Sequence, residues 1–91
     1  MKKSTHNQWS VFFSEFSTRN ELFVQHLSRD YPRLSPAEFR LCCYLRAGYS
    51  SRDIAEKTDR ALRSIESGRY RLRKKLPIQS HEDLGIFLMK I

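Results

Sequence analysis

The feature that most restricts the fold of this sequence is a helix-start pattern, Ser or Thr followed three residues later by an acidic residue. It occurs where Thr18 precedes Glu21, Ser35 precedes Glu38, Ser50 precedes Asp53 and Ser80 precedes Asp83. In such a capping box the hydroxyl and the carboxylate each accept a backbone N–H that a new helix leaves unpaired. Apolar residues resume helical spacing at each box, and no segment alternates as a strand would. The sequence therefore predicts an all-α protein.

The boxes, the prolines and the apolar spacing together predict the helix boundaries. Pro36 suits a first helical position, Gly48 suits a helix end, and Pro77 stops a helix. The predicted helical segments are 8–16, 19–30, 36–47, 51–58, 62–76 and 81–90. The sequence "YPRLSP" separates the second segment from the third, because proline disfavours helix at the preceding residue. We expect an N-terminal helical extension over 1–33 and a helical domain over 34–91.

Length and hydropathy exclude several classes of protein. A chain of 91 residues has the size of one domain with its own core. No apolar run approaches the roughly 20 residues of a membrane span. The start "MKKSTHNQWSVFF" lacks the apolar region and cleavage site of a signal peptide. We expect a cytoplasmic protein with no membrane contact from this segment.

Cysteine and histidine are too few and too scattered to predict a metal site or an active site. Cys42 and Cys43 are adjacent, so on a helix they point in different directions, and His6, His26 and His81 share no element. The two cysteines are expected to be small buried side chains in a reducing compartment. No nucleophile–base pair, phosphate loop or carboxylate dyad is present. We expect neither a cofactor nor enzymatic activity.

Positive charge is concentrated in one segment. The formal net charge is +7, and residues 59–76 carry seven Lys or Arg against Asp59 and Glu66, which gives 7 − 2 = +5. The other segments total 10 − 8 = +2. This distribution indicates an anionic partner, either nucleic acid, an acidic protein or anionic lipid.

The basic segment also has the pattern of a helix with one buried edge. Ile65, Leu72 and Leu76, with Gly68 or Arg69 between them, recur at helical spacing. The opposite face presents Arg63, Glu66, Ser67, Tyr70, Arg73 and Lys74. A short helix with Ile54 and Ala55 precedes it across a tight connection. Helix, short turn and basic helix together are typical of a helix-turn-helix, whose second helix enters the major groove of DNA.

From Leu34 to Leu76, "LSPAEFRLCCYLRAGYSSRDIAEKTDRALRSIESGRYRLRKKL" resembles the DNA-binding domain of LuxR-type response regulators. The matching pieces are Leu34-Ser35-Pro36-Ala37-Glu38, Gly48-Tyr49-Ser50, Ile54-Ala55, Ser64-Ile65 and Lys75-Leu76. The aromatic segment before it, with "YPRLS", looks like the extension of Bacteroidetes regulators of this type, in which the domain often closes a longer sensor chain. The resemblance covers nearly the whole chain from Trp9.

The resemblance implies a four-helix domain that binds double-stranded DNA in transcription regulation, with the third helix in the major groove. It implies a homodimer contact through the fourth helix, here 81–90. Carried over by position, the candidates for base contact are Glu66, Ser67 and Tyr70, and Arg63, one position earlier, is added to them although it is a candidate for either role. The candidates for phosphate contact are Ser50, Ser64, Arg69, Arg71, Arg73 and Lys74.

The sequence departs from the family pattern at the turn. Arg60 stands where an aliphatic residue is usual, Ala61 where Ser is usual, and Thr58 where Leu is common. Ala at a helix N-cap forfeits about 1 kcal/mol relative to Ser, and Gly68 inside the basic helix costs about 1 kcal/mol relative to Ala. These departures are compatible with an altered sequence preference or with weaker binding.

Less specific interpretations stay open at each position. The cations suit a solvated face, Tyr70 suits partial burial, and Glu66 suits a local pair with Arg69 or Tyr70. Glu38 is expected to cap its helix and to pair with an arginine of the basic helix. The stripe of Trp9, Phe12 and Phe16 is expected to join the core or an interdomain surface.

Two other functions remain as alternatives to a regulator. Region 4 of a sigma factor uses a similar helix-turn-helix, and it would make RNA polymerase a partner. A protein-interaction adaptor would instead dock an acidic protein on the basic helix, with weak DNA binding that is indifferent to sequence.

Overall fold

The computed structural model describes residues 5–91, with side chains from Gln8 onward, and this part of the chain is all-helical without strands, as predicted. The helices are α1 Thr5–Arg19, α2 Glu21–Asp30, α3 Pro36–Arg46, α4 Ser51–Thr58, α5 Leu62–Lys75 and α6 Leu84–Met89. Helix α1 is longer than the predicted 8–16. Residues 1–4 lie outside the described residues, and so does the side chain of His6. The predictions of an N-terminal extension over 1–33 and of a start without a signal peptide therefore fall partly outside the described residues.

Helix α3 lies at the centre of the core. Five consecutive residues, Leu41–Leu45, are buried on it, so α3 is covered on every side. Helices α5 and α6 pack directly against it. The second half of α3 therefore has no face for solvent, and the other helices are arranged around it.

Two of the four predicted capping boxes are confirmed. At α3 the Glu38 N–H donates to Ser35 Oγ at 3.1 Å, and the Ser35 N–H donates to Glu38 Oε1 at 2.9 Å. At α4 the equivalent bonds join Ser50 and Asp53 at 3.1 and 3.2 Å. These two boxes fix the starts of α3 and α4 where the sequence predicted them.

The box of Thr18 with Glu21 is wrong. Thr18 lies inside α1, where its hydroxyl donates to the carbonyl of Ser14 at 3.0 Å, one turn back in the same helix. Asn20, which separates α1 from α2, is the N-cap of α2 and accepts no side-chain cap hydrogen bond. The predicted helix over 19–30 therefore begins only at Glu21.

The box of Ser80 with Asp83 is also wrong, and the last helix is shorter than the predicted 81–90. Asp83 is itself the N-cap of α6 and accepts from the Ile86 N–H at 3.0 Å. The backbone before it is held differently, because the Arg73 guanidinium donates hydrogen bonds to the carbonyls of Gln79, Ser80 and Glu82 at 2.9, 3.1 and 2.8 Å. A long-range interaction thus replaces the local start signal.

Gly48 and Pro77 end their helices as predicted. Gly48 has φ +95, and after it the Tyr49 N–H reaches back to the carbonyl of Tyr44 at 3.1 Å, as in a Schellman motif. The rings of Tyr44 and Tyr49 pack with centroids 5.3 Å apart. Leu76, before Pro77, has the extended backbone that a following proline favours.

Aromatic side chains join the N-terminal helices to the core. Phe12 stacks on Tyr44 with centroids 4.4 Å apart, and Phe13 meets the edge of Phe39 at 6.0 Å. Phe16 is buried and meets Phe23 of α2 edge-on at 5.9 Å. The aromatic stripe therefore belongs to the same packed core as α3 and is not a separate surface.

A buried carboxylate ties α3 to α5. Glu38 lies 2.7 Å from Lys75 Nζ, and Arg71 Nε lies 4.0 Å from its other oxygen. The close partner of Glu38 is therefore Lys75 and not the predicted arginine, while Arg71 makes only the longer contact. Burial alone raises the pKa of Glu38, but the hydrogen bonds from Lys75 and Ser35 outweigh burial and hold the pKa below its ordinary value of 4.5.

The two cysteines are free and buried on α3, as expected of small apolar side chains. Burial, and after it the negative charge of nearby Glu38, raises the pKa of Cys42 to about 12. Burial likewise raises the pKa of Cys43 far above its usual range. Both thiols are therefore protonated and poor nucleophiles near neutral pH. Among the helices of residues 5–91, none is long and apolar enough to cross a bilayer.

Glu38→Gln is expected to lower the free energy of unfolding by about 1–2 kcal/mol near neutral pH, because it removes the charge that Lys75 faces. The folded pKa lies below the unfolded one, so this stabilisation is present above the unfolded value and is lost as pH falls through the folded value. Urea unfolding at several pH values measures this free energy.

The difference between wild type and variant should shrink below about pH 4. A difference unchanged at low pH would contradict the charge argument. Glu15→Gln, which breaks an exposed pair with Arg19, is the control and should change little.

Cys42 and Cys43 should stay unreactive towards a disulfide reagent such as Ellman's in the folded protein. Both should react at once when the chain is unfolded in guanidinium, because unfolding removes the burial that raises their pKa values. Absorbance of the released thiolate measures the rate, and rapid reaction of either cysteine without denaturant would show that α3 opens readily.

Candidate nucleic-acid interface

A three-residue turn connects α4 to α5. Asp59 adopts the left-handed conformation with φ 57, where glycine is more usual. The Arg60 N–H then donates to the carbonyl of Ala55 at 3.0 Å, and Thr58 Oγ1 donates to the carbonyl of Ile54 at 2.7 Å. The Thr58 hydroxyl is therefore satisfied within α4, and Arg60, which stands where the LuxR-type pattern has an aliphatic residue, is exposed.

Helix α5 starts at Leu62 with Ala61 as its N-cap, and Ala61 provides no side-chain cap hydrogen bond. The side-chain cap that the sequence predicted to be missing at Ala61 is thus missing in the structure. Further along, Ile65, Gly68 and Leu72 form the buried edge, followed by Leu76. Of the two residues predicted for the middle of this edge, Gly68 is the buried one.

The structure explains why Gly68 stands inside α5. A Cβ built on Gly68 would lie 3.1 Å from Leu41 Cδ2 of α3, closer than most real Cβ contacts. The missing side chain lets α5 approach α3 closely, in agreement with the burial of both residues. Glycine lowers the helix propensity of α5 by about 1 kcal/mol, and the closer packing of α5 against α3 offsets this cost.

The four candidates for base contact lie together on the exposed side of α5. Arg63, Glu66, Ser67 and Tyr70 are all exposed, and with Leu62 and Arg71 they line a shallow depression of about 590 Å³. Because the opposite edge is buried, these side chains are held facing away from the core. The face offers a cation, a carboxylate, a hydroxyl and an aromatic ring within two helical turns.

Tyr70 and Lys74 form a pair on this face. Tyr70 is 63% exposed, and Lys74 Nζ lies 4.5 Å from the centroid of its ring. The alternative that Tyr70 is partly buried is therefore wrong. Glu66 forms no ion pair with another residue of the part described, so its carboxylate is available to a partner.

The candidates for phosphate contact fall into two groups. Ser64, Arg69, Arg71 and Lys74 lie on α5 with no hydrogen bond from their side chains to another described residue beyond the weak Arg71 pair with Glu38. Ser50 and Arg73 have other tasks in the fold. Ser50 Oγ accepts the Asp53 N–H at 3.1 Å, and the Arg73 guanidinium is occupied by three backbone carbonyls.

Lys75 is the cation whose structural role the sequence did not single out. It lies among five cations in eight positions, so charge alone cannot distinguish it from its neighbours. Its helical position, three residues after the buried Leu72, is the signal that could have indicated the side facing α3. Across the described residues, no group of three or more His, Cys, Asp or Glu could hold a metal ion.

No protein-family model, no curated protein and no solved structure matches this chain.

Proposed function

We propose that this chain is a sequence-specific DNA-binding module of a bacterial transcriptional regulator, with the LuxR-type arrangement of helices, and that it acts by binding and not by catalysis. The observation that carries the proposal is the outward face of α5. Its four polar residues are held away from the core by a buried edge, one short turn after α4. A helix presented in this way fits the major groove.

In this proposal the α5 face divides into two kinds of contact. Arg63, Glu66, Ser67 and Tyr70 contact base edges, since guanidinium suits guanine and carboxylate accepts from the cytosine amino group. Ser64, Arg69, Arg71 and Lys74 contact phosphates on either side and supply most of the affinity. Arg73 supports the site from behind, because its guanidinium already binds the 79–82 backbone.

We also propose that two copies bind paired half-sites through α6, which lies within the predicted segment 81–90. Ile86 and Met89 on this helix are 56% and 55% exposed, while Leu84 and Leu88 on its other side are buried. An outward apolar pair on a helix anchored by its opposite edge suits a symmetric contact. Sedimentation with and without DNA would show whether Ile86→Glu prevents pairing.

Arg71→Ala and Lys74→Ala should each weaken binding to every DNA sequence by about fivefold at moderate salt, because each removes one cation that faces a phosphate. The slope of log affinity against log salt should fall by about 1 in each variant. Fluorescence anisotropy with labelled DNA at several salt concentrations measures both quantities. Arg29→Ala on α2, whose cation pairs with Asp30 at 3.1 Å, is the matched control and should leave both unchanged.

Glu66→Ala and Tyr70→Ala should change which DNA sequence is preferred. Selection from random DNA at two salt concentrations, with wild type and each variant, tests this prediction. Tyr70→Phe keeps the ring beneath Lys74 and removes only the hydroxyl, so it separates a hydrogen bond to a base from positioning of Lys74.

If no sequence is enriched and affinity is flat with salt, the DNA proposal is wrong. Weak binding that is indifferent to sequence would favour the adaptor. Specific association with core RNA polymerase would favour the sigma-factor alternative.

A further inference from the structure

A second concavity lies beside the proposed DNA-binding face, between α1, α3 and the α4–α5 pair. It has a volume of about 320 Å³, at the small end of the range for ligand pockets. Its apolar lining comes from Leu41, Ile54, Ile65 and Tyr44, and the bare backbone of Gly68 contributes to it. Trp9 lines it from α1, so the cleft contains residues of both the N-terminal helix and the helix-turn-helix.

Three arginines line this apolar cleft, and each comes from a different element. Arg40 belongs to α3, Arg60 to the turn, and Arg71 to α5. The Arg40 guanidinium carbon lies 5.1 Å from the centroid of the Trp9 ring. Arg60 is exposed and forms no ion pair with another described residue. Like charges placed together around an apolar surface are complementary to an anion.

The single carboxylate in the lining does not cancel this charge. Glu38 already receives Lys75 at 2.7 Å and the Ser35 N–H at 2.9 Å, and only its longer contact to Arg71, at 4.0 Å, involves a cation of the cleft. Lys75 offsets the charge of Glu38 from outside the lining. The cleft therefore keeps an excess of positive charge above an apolar floor.

We propose that this cleft binds a small amphipathic carboxylate, an acid with a compact aromatic or branched apolar body. The body packs against Leu41, Ile65 and Trp9, and the carboxylate accepts hydrogen bonds from Arg60 and Arg40. Guanidinium suits this recognition because its planar donors match the two oxygens of a carboxylate. An inorganic anion would meet the same cations and gain nothing from the floor.

Arg71 connects the cleft to the α5 face, because it lines both concavities. A carboxylate held by Arg60 and Arg40 places a negative charge in the cleft that Arg71 lines, and this charge reduces the positive potential that Arg71 offers to DNA phosphate. Bound acid therefore lowers affinity for DNA, and DNA lowers affinity for the acid by the same factor. This coupling rests on the proposed DNA-binding function, whereas binding of the acid does not.

The binding test uses Trp9, the single tryptophan of the chain, as an intrinsic probe. The full chain is titrated with para-isopropylbenzoate and with its neutral isostere para-isopropylbenzamide, and Trp9 emission and backbone amide NMR shifts are followed. The acid should bind at least about tenfold more tightly than the amide and shift the resonances of Arg60 and Gly68. Equal binding of acid and amide, no binding of the acid, or equal competition by inorganic phosphate would each overturn the proposal.

Arg60→Gln should weaken binding of the acid about five- to tenfold. Arg52→Gln is the matched control, because Arg52 is an exposed arginine of α4 outside the cleft and the change in net charge is the same. An equal loss in both variants would show a diffuse charge effect and overturn the site.

A separate titration with labelled DNA should show that the acid raises the apparent Kd for DNA in the wild type, and that Arg60→Gln needs about five- to tenfold more acid for the same rise. If Trp9 reports binding while DNA affinity is unmoved, the coupling is wrong and the site stands. If the chain binds no DNA at all, the proposed function fails and the Trp9 titration still decides the site.

Discussion

The burial of α3 on all sides is the constraint on which the other helices depend. Five consecutive buried residues, Leu41–Leu45, leave no face of this stretch for solvent, so helices must cover it from several directions. α5 and α6 pack directly against it, and the aromatic rings of α1 reach Tyr44 and Phe39. Gly68 removes the side chain that would keep α5 from Leu41. The orientation of the polar face of α5 is thus a consequence of how α3 is covered.

The cations of this basic chain perform two different tasks. Three cations join parts of the fold. Arg46 donates to the carbonyl of Leu88, Arg73 donates to the 79–82 backbone, and Lys75 donates to Glu38. Others face outward on α5 or line the neighbouring cleft. Charge-assisted hydrogen bonds hold the first group in place, while the second group makes no such bond to a described residue. A net charge alone would overstate the positive surface that a partner meets.

Helix α1 contributes a residue to the proposed cleft as well as packing to the core. Phe12, Phe13 and Phe16 place α1 on the core, and this placement brings Trp9 to the cleft between α3 and α5. A ligand in that cleft would touch α1 together with α3, α4 and α5. The position of α1 therefore offers a physical route by which binding beside α5 could change the availability of Arg71.

Local sequence determined the helical class, the starts of α3 and α4, the Gly48 and Pro77 ends, and the buried edge of α5. These features depend on neighbours within a few residues, where capping and periodicity act. Tertiary structure decided the rest. Arg73 holds the backbone where a box at Ser80 was predicted, Thr18 bonds back into α1, and Lys75 is the cation that Glu38 selects from a run of similar charges. The glycine at position 68 is explained only by its contact with Leu41, because it permits a close approach between two helices, which no local sequence pattern predicts.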